Sequence, residues 1–238
     1  MGSQAVERIQ DALKNRGFDP GPIDGVWGRQ TIAAVKAFQA ANGLEVDGIV
    51  GSETSGALFK GMTLPEPAAQ QNSGSVLVWF EEARSLLGTK EVPGDANNPI
   101  ILDWAGDLDI HYPGDDIPWC GLFVAHCIGA TLPGESLPGN PLGARRWEKF
   151  GDGTEPRLGA VMVFWRKSKS SGLGHVGFYN GEDDDAYQIL GGNQSDQVSL
   201  AWVSKSRFVE ARWPSSASSL TSKPVKKTKT GGLSTNEA

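Results

Sequence analysis

"DDIPWCGLFVAHC" (Asp115–Cys127) holds both cysteines of the chain and one of its three histidines. Pro118 suits the first turn of a helix, and Leu122, Phe123, Val124, Cys127 and Ile128 follow as apolar positions to bury. Cys120 and Cys127 then share one helix face, two turns apart. Seven residues at about 1.5 Å rise separate them by roughly 10 Å. A disulfide needs Cα atoms within about 7 Å, so a helix here excludes an intrachain bridge. The Cys-x₆-Cys spacing also departs from the closer-set ligand pairs of zinc sites. His126 is rotated away from the face of Cys120, and neither a metal nor another cofactor is expected. A nucleophile fits best. At the start of a helix, unpaired N–H groups and the positive end of the dipole favour a thiolate, and the same groups can hold an oxyanion. Cys127, deeper among apolar residues, reads as packing. His126 reads as a surface or locally bonded helix residue. His111, in "LDIHYPGDD", sits in a loop where nothing local singles it out.

Working outward, "VLVWFEEARSLLG" upstream has helical spacing at Val76, Phe80, Ala83 and Leu87. Downstream, "GAVMVFWR", "GHVGFYNG", "AYQILGGN", "VSLAWV" and "RFVEARW" read as strands separated by Gly and Asp/Asn turns, suited to antiparallel pairing. Helices followed by a sheet make an α+β layout. A thiol nucleophile needs a base. His175, in "GLGHVGFY", opens an apolar strand after a Gly-rich turn, so its ring can stand at a sheet edge facing the helix start. Asn193, in "LGGNQSD", ends the next strand and is the candidate to fix the His175 tautomer. Cys, His and Asn at three element ends form a papain-type arrangement.

The N-terminal part carries an internal repeat. "DGVWGRQT" (Asp24–Thr31) and "DGIVGSET" (Asp47–Thr54) share D-G-x-x-G-x-x-T. Each reads as a turn feeding a helix, with glycines free to take positive φ and the threonine in the first helical turn. Val6, Ile9 and Leu13 mark a helix that stops at Gly17; Ile32, Val35 and Phe38 mark a second; a third is expected from about Ser52 to Phe59. Trp27, inside the first repeat, has two readings: an exposed stacking surface for sugar or peptide, or a cap on the small core.

The chain has 238 residues, 39% of them hydrophobic, and a net charge of −6, with a pI of about 5.1. That size admits one large domain or two smaller ones. No basic domain points to nucleic acid, and no apolar run reaches the roughly 18 residues of a membrane span. The N-terminus lacks the basic-then-apolar pattern of a secretory signal, so synthesis in the cytoplasm is expected. Residues 61–75, rich in Pro, Gly, Ser, Gln and Asn, read as a linker, and residues 214–238, rich in Ser, Thr and Lys, as a disordered tail.

Residues from about Ala5 to Lys60, carrying "GFDPGPIDGVWGRQTIAAVKAFQAANGLEVDGIVG", resemble the peptidoglycan-binding domain of bacterial and phage cell-wall hydrolases. Residues from about Asp115 to Val203 look like the CHAP-like branch of papain-fold cell-wall peptidases and amidases. The matching pieces are "DDIPWCGLFVAHC", "GARRWEKFG", "GHVGFYNGED" and "ILGGNQSDQVSLA". That resemblance implies Cys120 as nucleophile, His175 as base and Asn193 as the orienting residue. Two positions depart from it. Gly191 stands where many CHAP domains have an acidic residue, and Gly159, Ala160 and Val161 stand where Gly-Asp-Ile/Val is common. Asp116 is then an alternative polar partner, and Trp27, Trp119 and Asp116 are the candidate substrate contacts. The expected organisation is a three-helix peptidoglycan-binding domain over 1–60, the linker over 61–75, a papain-like domain of helices on an antiparallel sheet over 76–213, and the tail over 214–238. The expected function is monomeric peptidoglycan hydrolysis at an amide of the stem peptide, as an endopeptidase or an N-acetylmuramoyl-L-alanine amidase acting at the cell wall after release or delivery. Phage endolysins and injected effectors both suit this organisation, the latter with an immunity protein as partner. The alternatives are a catalytically dead wall-binding protein and a cytosolic thiol amidase or acyltransferase.

Overall fold

The computed structural model describes residues 4–46, 48, 50, 52–60, 77–94, 96–132, 134–217 and 223–234. The chain divides into two compact units, Met1–Ser85 with Ala130–Pro133, and Leu86–Gly129 with Gly134–Ala238. The linker expected at 61–75 lies outside the described residues.

The first unit holds α1 (Gln4–Asn15), α2 (Arg29–Ala41), α3 (Ser52–Leu58) and α4 (Val78–Ser85). Val6, Ile9 and Leu13 of α1 and Val35 and Phe38 of α2 are buried as their spacing requires. The chain leaves α1 through Gly17 at φ +85°, and Phe18 closes edge-on against Phe38 at 5.5 Å. The repeat has a structural cause that its own residues do not display. A buried glutamine from the preceding helix grips each copy. Gln10 Oε1 accepts from the N–H groups of Asp24 (3.1 Å) and Gly25 (2.9 Å), while its Nε2 donates to Thr31 Oγ1 (3.1 Å) and Val26 O (3.0 Å). Gln39 repeats the motif, accepting from Gly48 N–H (2.8 Å) and donating to Thr54 Oγ1 (3.1 Å). The threonine closes the clamp by accepting from the glutamine of the preceding helix.

The second unit is a mixed helix and antiparallel-sheet structure. It contains α5 (Pro99–Asp107), most of α6 (Cys120–Thr131), and β1 (Asp152–Gly153), β2 (Val161–Trp165), β3 (Gly174–Glu182), β4 (Ala186–Gly191), β5 (Ser199–Ser204) and β6 (Phe208–Trp213). The sheet order is β1-β6-β2-β3-β4-β5, and all its pairings are antiparallel. The five expected strands are all present as β2 to β6. α5 is an addition to the sequence reading; Asn98 caps it by accepting from Ile100 N–H (2.9 Å), with Pro99 in the first turn. Phe123 of α6 meets Phe178 of β3 at 6.0 Å between rings. At Gly192, just past β4, a Cβ would come within 2.6–2.8 Å of Phe123 and Trp119. The missing side chain lets α6 settle on the sheet.

The tail expected to be disordered is placed against the sheet over 223–234. Glu182 N–H donates to Val225 O (2.8 Å) and Lys227 N–H donates back to Glu182 O (2.9 Å), a parallel bridge at Lys226. The Glu182 carboxylate receives Lys226 and Lys205, both at 3.1 Å, and Tyr179 Oη at 3.1 Å. The crossing needs Gly181, where a Cβ would lie 2.7 Å from Lys227 Cδ and 2.9 Å from Val225 O. Backbone pairing of this kind is blind to composition, so a Ser/Lys-rich segment gives no sign of it.

Candidate active site

α6 begins at Cys120, and its first turn closes with Phe123 N–H on Trp119 O (2.9 Å). Cys120 therefore stands at the first helical position, as its sequence context predicts. A Cβ at Gly121 would run into the carbonyls of Pro141 and Leu142, so glycine there lets the helix start close up to that loop. Neither cysteine is in a disulfide, and both are buried. Burial pushes the Cys120 thiol up from its ordinary pKa; the backbone N–H groups of Val176 and Gly121 and the charge of Arg166 pull against it. The expectation of a thiolate favoured by the helix start alone is thus opposed by desolvation. The Val176 N–H at the sulfur also locates the thiol: it lies against β3, one residue past His175.

His175 is fully buried on β3, opposite Phe164 of β2. Its Nε2 lies 3.1 Å from Gln194 Oε1. The Gln194 amide has its NH₂ committed to Ser199 O at 2.5 Å and directed at Ile189 O at 3.4 Å. Its oxygen therefore faces the ring, and an amide oxygen only accepts. The hydrogen must sit on His175 Nε2, which leaves Nδ1 as the basic nitrogen. Nδ1 is itself buried. Gly191 explains its departure from the resemblance: a Cβ there would lie 3.0 Å from Gln194 Oε1 and 3.1 Å from His175 Nε2. Any side chain would wedge into the pair.

Asn193 does not partner His175. It adopts φ +53°, a left-handed turn that asparagine tolerates, and this sends the amides of 193 and 194 to different neighbours. With its amide oriented to satisfy both partners, Asn193 donates to Glu91 Oε1 (3.2 Å) and accepts from the Trp119 backbone N–H (3.2 Å). Trp119 is buried, and its indole donates to the same Glu91 oxygen at 2.7 Å. Burial, and then the charges of Asp196, Asp115 and Asp116, push the Glu91 carboxyl above its ordinary value against the pull of the Trp119 bond. Asn193 and Glu91 thus fix the residue that precedes the thiol. Asp115 ties the same approach down, accepting from Asn98 N–H (2.7 Å) while its own N–H donates to Asn97 Oδ1 (2.9 Å). Asp116 is exposed beside this loop. His126 is buried and stacks on Trp104 at 5.1 Å, so of its two readings the surface one fails. His111 is exposed and Cys127 is buried.

Residues 2–58 match the family model of a putative peptidoglycan binding domain. A peptidoglycan-binding domain stands at the N-terminus. The chain is 36% identical over 72 residues to a spore cortex-lytic enzyme of Bacillus cereus, covering 30% of this chain and 27% of that protein. It is 41% identical over 64 residues to the N-acetylmuramoyl-L-alanine amidase CwlL of Bacillus licheniformis, covering 24% of this chain and 18% of that one. The chain thus spans about a quarter or less of the length of these two relatives. No solved structure matches it. Within the peptidoglycan-binding domain, Trp27 is 1% exposed. Of its two readings the core cap holds, and it presents no stacking face to a ligand. Trp119, equally buried, offers none either. Among the described residues no helix is long and apolar enough to cross a membrane.

Two polar residues of this site escape a sequence reading, Gln194 and Glu91. Gln194 had one signal: it adjoins Asn193 in "GGNQ", a second amide at the same strand end. Glu91 had none, since it lies 28 residues before the Trp119 it binds.

Proposed function

We propose that this chain is a peptidoglycan hydrolase whose second unit is a CHAP-like, papain-fold cysteine peptidase or amidase. Cys120 is the nucleophile and His175 the base. Gln194, in place of the expected Asn193, orients the imidazole, while Asn193 positions the Trp119–Cys120 step. The observation that carries this reading is the His175–Gln194 pair beside a thiol at a helix start. Gln194 holds the hydrogen on Nε2, so Nδ1 is the nitrogen that takes a proton. The relatives named as lytic enzyme and amidase, and the peptidoglycan-binding domain, supply the substrate class.

In the reaction, the Cys120 proton moves to His175 Nδ1 as sulfur attacks an amide carbonyl of the stem peptide. The backbone N–H groups at the helix start stabilise the oxyanion. Because burial opposes a standing thiolate, transfer to imidazole accompanies attack. The C–N bond breaks, Nδ1–H protonates the departing amine, and a thioester remains. Water, losing its proton to Nδ1, attacks the thioester; the acid leaves and the Cys120 thiol is restored. The N-terminal domain concentrates the enzyme on an immobile substrate, an organisation suited to a phage endolysin. The test is release of soluble fragments from purified wall, with mass spectrometry to name the bond cut. Cys120→Ala should release none, and release by that variant equal to wild type would overturn the reading.

A further inference from the structure

The end of the sheet that holds His175 carries a second feature, a cavity of about 470 Å³. Arg166, Lys167 and Arg207 line it with Ser204 and Ser234, and among the described residues its lining includes no carboxylate. That concentration of positive charge stands out in a chain of net charge −6. The arginines at this end of the sheet differ in how committed they are, Arg145 lying outside the cavity's lining. Arg207 uses its Nε on Trp165 O at 3.1 Å. Arg145, which packs where a Cβ on Gly174 would sit, is paired with Glu148. Arg166 has no ion pair or side-chain hydrogen bond among the described residues, and it is only part-exposed. A guanidinium held at a cavity wall with its donors unspent is suited to a planar anion.

The sheet register relates the cavity to the thiol. Phe164 lies opposite His175 and Trp165 opposite Gly174, and Arg166 N–H donates to Leu173 O at 2.9 Å. Arg166 is therefore two rungs from His175, about 7 Å along the strands. An extended peptide advances about 3.3–3.6 Å per residue, so a carboxylate one or two residues from the scissile amide falls at this cavity. Against the burial that raises the Cys120 pKa, the charge of Arg166 is among the influences that act at the sulfur, which agrees with this spacing.

We infer that the cavity walled by Arg166, Lys167 and Arg207 is a subsite for a free carboxylate of the wall peptide, and that it selects acidic stem peptides over amidated ones. This rests on the reading of Cys120 as the nucleophile. A wall polyphosphate is the competing anion, but a long polymer calls for a line of cations, and this cluster is a single pocket.

The test uses a matched pair of muropeptides, one with free carboxylates and one with those carboxylates amidated. Wild type should show a kcat/KM about tenfold higher on the free form, the scale of one charge-assisted hydrogen bond, and Arg166→Gln should bring the ratio near one. Arg166→Lys should recover part of it by keeping the charge without the fork. A wild-type ratio near one, or a ratio untouched in Arg166→Gln, overturns the subsite while leaving the hydrolase reading standing. Titration of the full-length Cys120→Ala protein with the same pair separates the two ideas. If it binds the free form more tightly and Arg166→Gln removes that difference, the subsite holds even where wild type cleaves neither peptide, and then only the hydrolase reading fails. Arg166-dependent binding of a polyglycerol phosphate chain, with both muropeptides ignored, overturns the proposal in favour of the polymer.

Discussion

Gln10 in the first unit and Gln194 in the second are both buried glutamines whose amides bridge two pieces of chain. Gln10 grips a turn and a threonine; its oxygen accepts only from backbone N–H groups, and its Nε2 also reaches the Asp24 carboxylate at 3.0 Å. Gln194 grips a histidine ring with the same oxygen that Gln10 spends on backbone N–H groups. The bonding is alike, and the difference lies in the partner. An amide closed onto backbone stores stability, whereas an amide closed onto a titratable ring chooses which nitrogen carries the proton. A buried, satisfied amide is thus a functional pointer only through what it touches.

The largest effect should come from the thiol beside the second glutamine. Cys120→Ala should abolish wall hydrolysis, with melting temperature and circular dichroism close to wild type. Next, Gln194→Leu should lower kcat roughly 100-fold with KM little changed, within the range for losing a well-held acid–base group. Asn193→Gly, which keeps the left-handed turn, should cost far less in kcat. Equal losses in the two variants would erase the distinction between the amides. Alkylation tests the free thiol. Burial raises the Cys120 pKa, and below its pKa a thiol loses thiolate about tenfold per pH unit. Iodoacetamide should therefore react slowly in mild acid and progressively faster as pH rises to 8 and beyond; a plateau from pH 5 would show a standing thiolate. Gln10→Leu should cost about 1–3 kcal/mol in the first unit through unsatisfied backbone donors, visible as weaker retention on insoluble wall on warming, with turnover of soluble muropeptides unchanged. The smallest effect is expected of Cys127→Ala, about 1 kcal/mol for a buried small side chain, with activity retained.

Much of this was legible because it depends on period and position. Val6, Ile9 and Leu13 announce α1, and the alternating apolar runs announce β2 to β6. The places of Cys120 at a helix start and His175 near a strand start were readable because element ends are. The amide that meets His175 could not be told from its neighbour: the chain turns at Asn193 with φ +53°, Gln194 and not Asn193 reaches the ring, and a backbone dihedral leaves no mark in composition. Trp27 was ambiguous for a similar reason, since a turn residue can face in or out and only packing decides.

Lys226 and Lys227 illustrate a further effect of backbone pairing. On paper they form an inviting site for trypsin. A protease must draw the chain, extended, into its own cleft and pair with its backbone. Here Val225 O and Lys227 N–H are already spent on Glu182, and the Lys226 ammonium is spent on its carboxylate. Cleavage after Lys226 must wait for this segment to peel from β3. The rate of nicking, measured against protease concentration, becomes a clock for how often that strand lifts.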